Sequence, residues 1–179
     1  MKILEATCGA RSYWRDKQHP ETVFVDLRIE SDPEFSFAEY DIDGAIRRKP
    51  GSYAILPDIQ ADYRRLPFGD RSFDLVVFDP PHMVTNSGMK NLSGIMKRKY
   101  GSLCAETWQR DLHTAFSELF RVMTDKATLT FKFWDGDIGF EKVLEQIPAE
   151  PLYGTTSKSG THETRWLTFN KPKTLRTES

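Results

Sequence analysis

An apolar run, Leu75-Val76-Val77-Phe78, leads directly into Asp79-Pro80-Pro81-His82. Proline lacks an amide hydrogen and fixes its φ angle, so two in a row make a rigid turn rich in acceptors and poor in donors. The Asp79 carboxylate and a proline carbonyl then offer two acceptors, with the flat ring of His82 beside them. An exocyclic amine on a planar ring has two hydrogens to place. Holding both draws the nitrogen lone pair out of conjugation and aims it at an electrophile. A neighbouring ring can stack on the base, which contributes about 1–3 kcal/mol. The same residues also suit a strand that merely ends in a Pro-Pro turn with a capping aspartate, and the tetrapeptide alone leaves both readings open.

Other acids recur at the ends of short apolar runs: Ile3-Leu4 before Glu5, Val23-Phe24-Val25 before Asp26, and Ile59-Gln60-Ala61 before Asp62. Gly9 follows Glu5 closely in a turn, and Asp26 comes 17 residues after Gly9. That spacing suits an acid that bonds ribose hydroxyls in a nucleotide-binding α/β fold. Each aspartate taken singly is equally a turn former.

The elements that must position these residues read as strands alternating with helices. Two further β-rich runs are Ala127-Thr128-Leu129-Thr130-Phe131-Lys132-Phe133-Trp134 and Thr164-Arg165-Trp166-Leu167-Thr168-Phe169. Leu112, Ala115, Phe116, Leu119, Phe120 and Met123 fall on one helical face, and a second helix is expected over residues 138–147, ended by Pro148. Alternation of this kind implies a mostly parallel sheet with ligands beyond the carboxyl ends of its strands. Residues 31–57 hold Asp32-Pro33, Asp43-Gly44 and Pro50-Gly51 and read as a long loop with one helical turn.

Asp79-Pro80-Pro81-His82 fits the signature of amino-methyltransferases, which is Asp, Asn or Ser, then Pro-Pro, then an aromatic residue or histidine. The stretch from Glu5 through Ala6, Thr7 and Gly9 to Arg11 resembles the first cofactor motif of class I methyltransferases, with one glycine where two or three are common. Asp62, followed by Leu66-Pro67-Phe68, resembles the motif whose acid bonds the adenine amine. With Asp16-Lys17, Asp26-Leu27-Arg28, Phe131-Lys132-Phe133 and Trp166-Leu167-Thr168-Phe169, the chain resembles small phage- and prophage-associated methyltransferases over most of its length. The resemblance implies a Rossmann-like class I methyltransferase fold, α/β, with a mostly parallel central sheet, an antiparallel C-terminal strand and helices on both faces. It implies one domain over residues 1–172, with a tail over 173–179. It implies S-adenosyl-L-methionine as cofactor, held by Glu5, Ala6, Thr7, Gly9, Asp26, Leu27, Asp62, Tyr63 and Asp79. Asp79, Pro80, Pro81 and His82 would be the catalytic set, transferring methyl in line to adenine N6 or cytosine N4. Such transfer needs no metal and rests on positioning and preorganised dipoles.

Residues 83–105 carry Lys90, Lys97, Arg98 and Lys99 and one acid, Glu106, only beyond their end. Lying just after the catalytic turn, this segment reads as a mobile substrate-side loop that meets phosphate, and Lys132 as a further cation for phosphate or the cofactor carboxylate. An ordinary variable loop is the alternative. Arg47-Arg48-Lys49 reads as a solvated face. His113 and His162 lack metal-ligand spacing, and Ser102 and Ser117 lack a nucleophile context.

Net charge is -1 in 179 residues, so no global field favours nucleic acid. DNA is favoured over RNA by the resemblance alone, and specificity would need a second copy of the chain or a specificity partner. A protein-glutamine methyltransferase and a non-catalytic cofactor-binding regulator stand as further alternatives. The N-terminus shows no signal pattern, no run approaches the ~20 apolar residues of a membrane span, and two cysteines fit a reducing cytoplasm.

Overall fold

The computed structural model describes residues 1–32, 36–40, 46–50 and 53–173, with backbone alone for the two middle stretches. The first half of the chain gives β1 (Ile3–Glu5), β2 (Thr22–Asp26), β3 (Glu30–Asp32), β4 (Ser36–Tyr40), β5 (Ile46–Pro50), β6 (Tyr53–Ile55), β7 (Ile59–Gln60) and β8 (Phe73–Phe78). Then follow β9 (Val84–Thr85), α1 (Ile95–Tyr100), β10 (Leu103–Cys104), α2 (Trp108–Val122), β11 (Met123–Trp134), α3 (Phe140–Leu144), β12 (Tyr153–Ser159) and β13 (His162–Asn170).

Seven strands form the central sheet in the order β12-β13-β11-β8-β1-β2-β7. Neighbours from β11 to β7 are parallel, while β13 runs antiparallel to both β11 and β12. This is the mostly parallel Rossmann-like sheet with an antiparallel C-terminal strand that the sequence led us to expect. The apolar runs became strands because alternate residues face a common core. Along β11, Leu129, Phe131 and Phe133 are fully buried while Thr128, Thr130 and Lys132 are not.

Helix α2 buries Leu112, Ala115, Phe116, Leu119 and Phe120 as its spacing predicts. Phe116 is the hub, with ring centroids 5.5 Å from Phe78, 5.1 Å from Phe131 and 6.0 Å from Phe169. Phe169, Leu167 and Arg165 share a face of β13, and the Arg165 guanidinium lies 4.3 Å over the Phe140 ring of α3. Helices α2 and α3 therefore pack on the same side of the sheet. On the other face, Tyr13 from the turns of residues 6–21 stands 5.9 Å from Trp166 of β13 and 5.8 Å from Lys132 Nζ of β11.

Three local expectations need correction. Helix α3 spans Phe140–Leu144 rather than 138–147, although Ile138 and Ile147 are buried beside it. Strand β12 went unrecognised because all seven of its residues are exposed and leave no apolar alternation. Residues 31–57 are not a plain loop: β3 pairs with β6 and β4 with β5, both antiparallel. The side chains of Arg47-Arg48-Lys49 lie outside the described residues, as does the tail beyond residue 173.

Residues 83–105 form a small lobe. Strands β9 and β10 pair in parallel, and the buried Ser102 hydroxyl bonds Thr85 Oγ1 at 3.0 Å. Gly101, at φ +78°, lets the lobe settle on the Pro80-Pro81 turn, since a Cβ there would stand 2.8 Å from Pro81 Cγ.

Candidate active site

Strands β1, β2, β7, β8 and β11 end on one edge, and the chain leaves the β1–β8 pair in opposite directions. That is the switch point at which α/β sheets bind ligands. A cleft of about 690 Å³ opens there. Asp26, Leu27, Asp62, Tyr63 and Asp79 line it, as do Thr7, Gly9, Pro81 and Lys132.

The last ladder pair between β8 and β11 is Phe78 with Phe131, both pointing into the α2 side. The next residue of each strand turns to the opposite face, so register alone sets Asp79 beside Lys132. Lys132 Nζ donates to Asp79 Oδ2 at 2.7 Å, and the Asp79 amide donates to Thr7 Oγ1 at 2.9 Å. Burial pushes the Asp79 carboxyl above the usual range, and the Lys132 charge opposes that rise. Burial also lowers the His82 pKa, against the pull of Asp79, which keeps the ring neutral near pH 7. Pro80 and Pro81 are both buried.

Asp26 and Asp62 share an arrangement absent from the sequence expectations. Each sits in an Asp-X-Arg triplet whose arginine folds back on it. Arg28 gives Asp26 Oδ1 its backbone N–H and Nε at 3.0 and 2.9 Å. Its Nη2 joins the Gly9 amide on Oδ2, each at 3.0 Å. These donors fill the roughly four acceptor positions of a carboxylate. Arg64 holds Asp62 likewise, with Nη2 to Oδ2 at 2.6 Å, and reaches Asp111 at 3.0 Å. Although burial raises the Asp62 pKa, the bonds from Arg64 hold it below the usual range. Tyr63 packs edge-on against Phe78 at 5.2 Å.

Glu5 and Ala6 are not brought into the cleft. Glu5 is fully buried beneath its wall, where Tyr13 Oη and Trp14 Nε1 donate to its carboxylate at 2.9 and 2.8 Å. Burial pushes its pKa up to about 8. Ala6 is buried and donates its amide to Val77.

The basic segment is divided. Lys90 and Lys99 line the cleft, whereas Lys97 does not. Arg98 is committed to the protein itself: its guanidinium pairs with Glu30 and, at 3.5 Å, with Asp32. Its carbonyl accepts from Arg28 Nη1 at 2.8 Å, tying the lobe to the end of β2. Arg98 is thus a tether rather than a phosphate ligand.

Sequence reasoning missed a set of rings around His82. Trp134 lies 5.1 Å from His82 and Tyr100 6.1 Å from it. Their positions 52 and 18 residues away leave no local signal, and only their aromatic type could have prompted a search.

A scan of protein-family models found no match, and neither did a search of curated proteins. Solved structures do match. The PH0226 protein from Pyrococcus horikoshii OT3 shares 15% identity at TM-score 0.50, over 94% of this chain and 81% of that one. A SAM-dependent methyltransferase from Methanosarcina mazei shares 13% at TM-score 0.50, over 95% and 92%. TrmN from Thermus thermophilus shares 13% at TM-score 0.51, and the match spans 96% of this chain but 44% of TrmN. These likenesses establish the fold, which is Rossmann-like α/β.

Proposed function

We propose that this protein is an S-adenosyl-L-methionine-dependent methyltransferase acting on an exocyclic amine of a nucleobase, with adenine N6 in DNA as the leading target. The observation that carries the reading is the Asp79 carboxylate, set at the end of β8 in the cleft, charge-paired to Lys132 and within electrostatic reach of His82.

The cleft residues fit the cofactor. A volume of about 690 Å³ suits a small molecule of this size. A Cβ built on Gly9 meets nothing within 4 Å, so the backbone after β1 faces open space. Leu27, 38% exposed, offers an apolar contact beside Asp26. Asp26 is the acceptor for ribose hydroxyls, and they reach it as Arg28 withdraws its guanidinium. Asp62 and Tyr63 form the adenine side. When bound, S-adenosyl-L-methionine supplies a methyl carbon made electrophilic by its sulfonium.

The chain's own groups do the rest. Asp79 and the Pro80 carbonyl accept the two amine hydrogens, and Pro81 keeps the turn rigid. Lys132 opposes the rise that burial gives the Asp79 pKa and so favours the carboxylate, which as an acceptor can take the proton that the substituted nitrogen sheds. His82, neutral, stacks on the target ring. Lys90 and Lys99 lie where a strand's phosphates would pass. Recognition of a particular sequence would fall to a second copy of the chain or to a specificity partner.

The test is nucleoside mass spectrometry on DNA and RNA digested separately from cells expressing wild type or Asp79→Ala. A methylated adenine or cytosine that depends on Asp79 and appears in the DNA pool is the expected result. Its appearance in RNA alone would reassign the polymer. A wild type that methylates neither polymer would defeat the reading.

A further inference from the structure

Four rings form a connected row that starts at Tyr100 in the cleft lining and runs away from it through His82 and Trp134 to His162. Tyr100 at the end of α1 lies 6.1 Å from His82, His82 lies 5.1 Å from Trp134, and Trp134 lies 4.9 Å from His162 at the start of β13. The row is built, not incidental. The Trp134 ring occupies the volume a side chain at position 136 would need: a Cβ on Gly136 would fall 1.7 Å from Trp134 Cζ3. The far end is fixed by a bonded corner, where the Asp135 and Glu163 backbones join β11 to β13 and Asp135 Oδ1 stands 3.7 Å from His162 Nδ1. The two ends of the row keep access to solvent, Tyr100 at 39% and the His162 side chain at 44%, while His82 and Trp134 between them are half-buried.

One ring is enough to hold a single target base. Three more on the same line have no part in methyl transfer and no core to fill. Base faces can use such a row only when neighbouring bases do not already cover them, which holds for a single strand and fails inside a duplex.

We propose that Tyr100, Trp134 and His162 form a stacking path for the bases flanking the target, and that the substrate is therefore a single-stranded or unpaired stretch of nucleic acid. This inference rests on the nucleobase reading above.

The test reads binding without turnover. A fluorescein-labelled single strand of about twelve nucleotides, within the usual footprint of such sites, is titrated against the protein beside the same strand annealed to its complement. The wild type should bind the single strand at least about ten-fold tighter than the duplex. Trp134→Ala and His162→Ala should each lose most of that preference, and Trp134→Phe should retain it. His162→Ala removes a half-exposed ring at the end of the row, so it keeps the test valid if the Trp134 change unfolds the protein. Equal affinity for both forms, or single-strand affinity within about two-fold of wild type in both alanine variants, would overturn the proposal. The two readings fail separately. Base methylation that ignores Trp134 and His162 sinks the stacking path alone, whereas ring-dependent single-strand binding without methylation sinks the catalytic reading alone.

Discussion

Lys132 Nζ lies 2.7 Å from Asp79 Oδ2, one step beyond the last ladder pair of β8 and β11. The contact joins a cation and a carboxylate that burial would otherwise neutralise. Without the lysine, burial acts on Asp79 with its main opposition gone and the pKa rises further. Activity that needs the ionised form is lost as pH falls through the folded pKa. Lys132→Met should therefore move the acid limb of the kcat/KM profile to higher pH and lower kcat at neutral pH by about 100-fold. Lys132→Arg should restore part of both. An acid limb that stays in place would separate Lys132 from the state of Asp79.

The Asp26–Arg28 clamp makes a prediction with opposite signs at neighbouring positions. Asp26→Ala should weaken S-adenosylhomocysteine binding by at least about ten-fold, a loss of roughly 1.4 kcal/mol. Arg28→Ala removes the group that competes for the same oxygens and should tighten binding a few-fold. Titration calorimetry reads both. Weaker binding in Arg28→Ala would mean that the arginine holds the cofactor rather than yielding to it.

Glu5 sets a slope in stability against pH. Its folded pKa, about 8, lies above the ordinary 4.5, so the unfolded chain releases the proton first. Its contribution is fully present below pH ~4.5, declines as pH rises toward 8, and is flat above that. The span amounts to a few kcal/mol. Thermal melts of wild type and Glu5→Gln across this window should converge at the acid end and diverge at the basic end, with the steeper fall in wild type. Parallel curves would show that Glu5 does not titrate there.

Phe116 meets Phe78, Phe131 and Phe169 at the centre of the α2 face. Truncation to alanine leaves a cavity that these rigid rings close poorly. Urea denaturation of Phe116→Ala should show a loss of about 3–5 kcal/mol. A loss below about 1 kcal/mol would mean the rings repack.

What the sequence made legible was local. Val23-Phe24-Val25 and Leu75-Val76-Val77-Phe78 announce strands because burial on both faces requires unbroken apolar runs, and the acids after them fall at strand ends for the same reason. The arginines on Asp26 and Asp62 were within reach, two residues on, but nothing in the triplet says whether a guanidinium turns back or out. Lys132 with Asp79, 53 residues apart, depends on the register of two parallel strands, which no local pattern encodes. Glu5 misled because a strand-end acid looks the same whether it faces a ligand or is sealed under Tyr13 and Trp14. Strand β12 has no buried residue and so leaves no periodic trace.

The one-sided placement of α2 and α3 makes the domain uneven in how it opens. Beneath those helices, the sheet is held by interlocked phenyl rings, and its amides should exchange with deuterium only through global unfolding. Over the other face lie residues 6–21, turns held by single bonds such as Tyr13 and Trp14 to Glu5, Gly9 to Asp26 and Arg11 to Asp58 rather than by packed rings. Such a cover should open at less than the global free energy. It also carries Thr7 and Gly9 into the cleft wall. Occupancy of the cleft would thus slow exchange along residues 6–21 while leaving the helical side unchanged, so half of the molecule serves as the internal clock for the other.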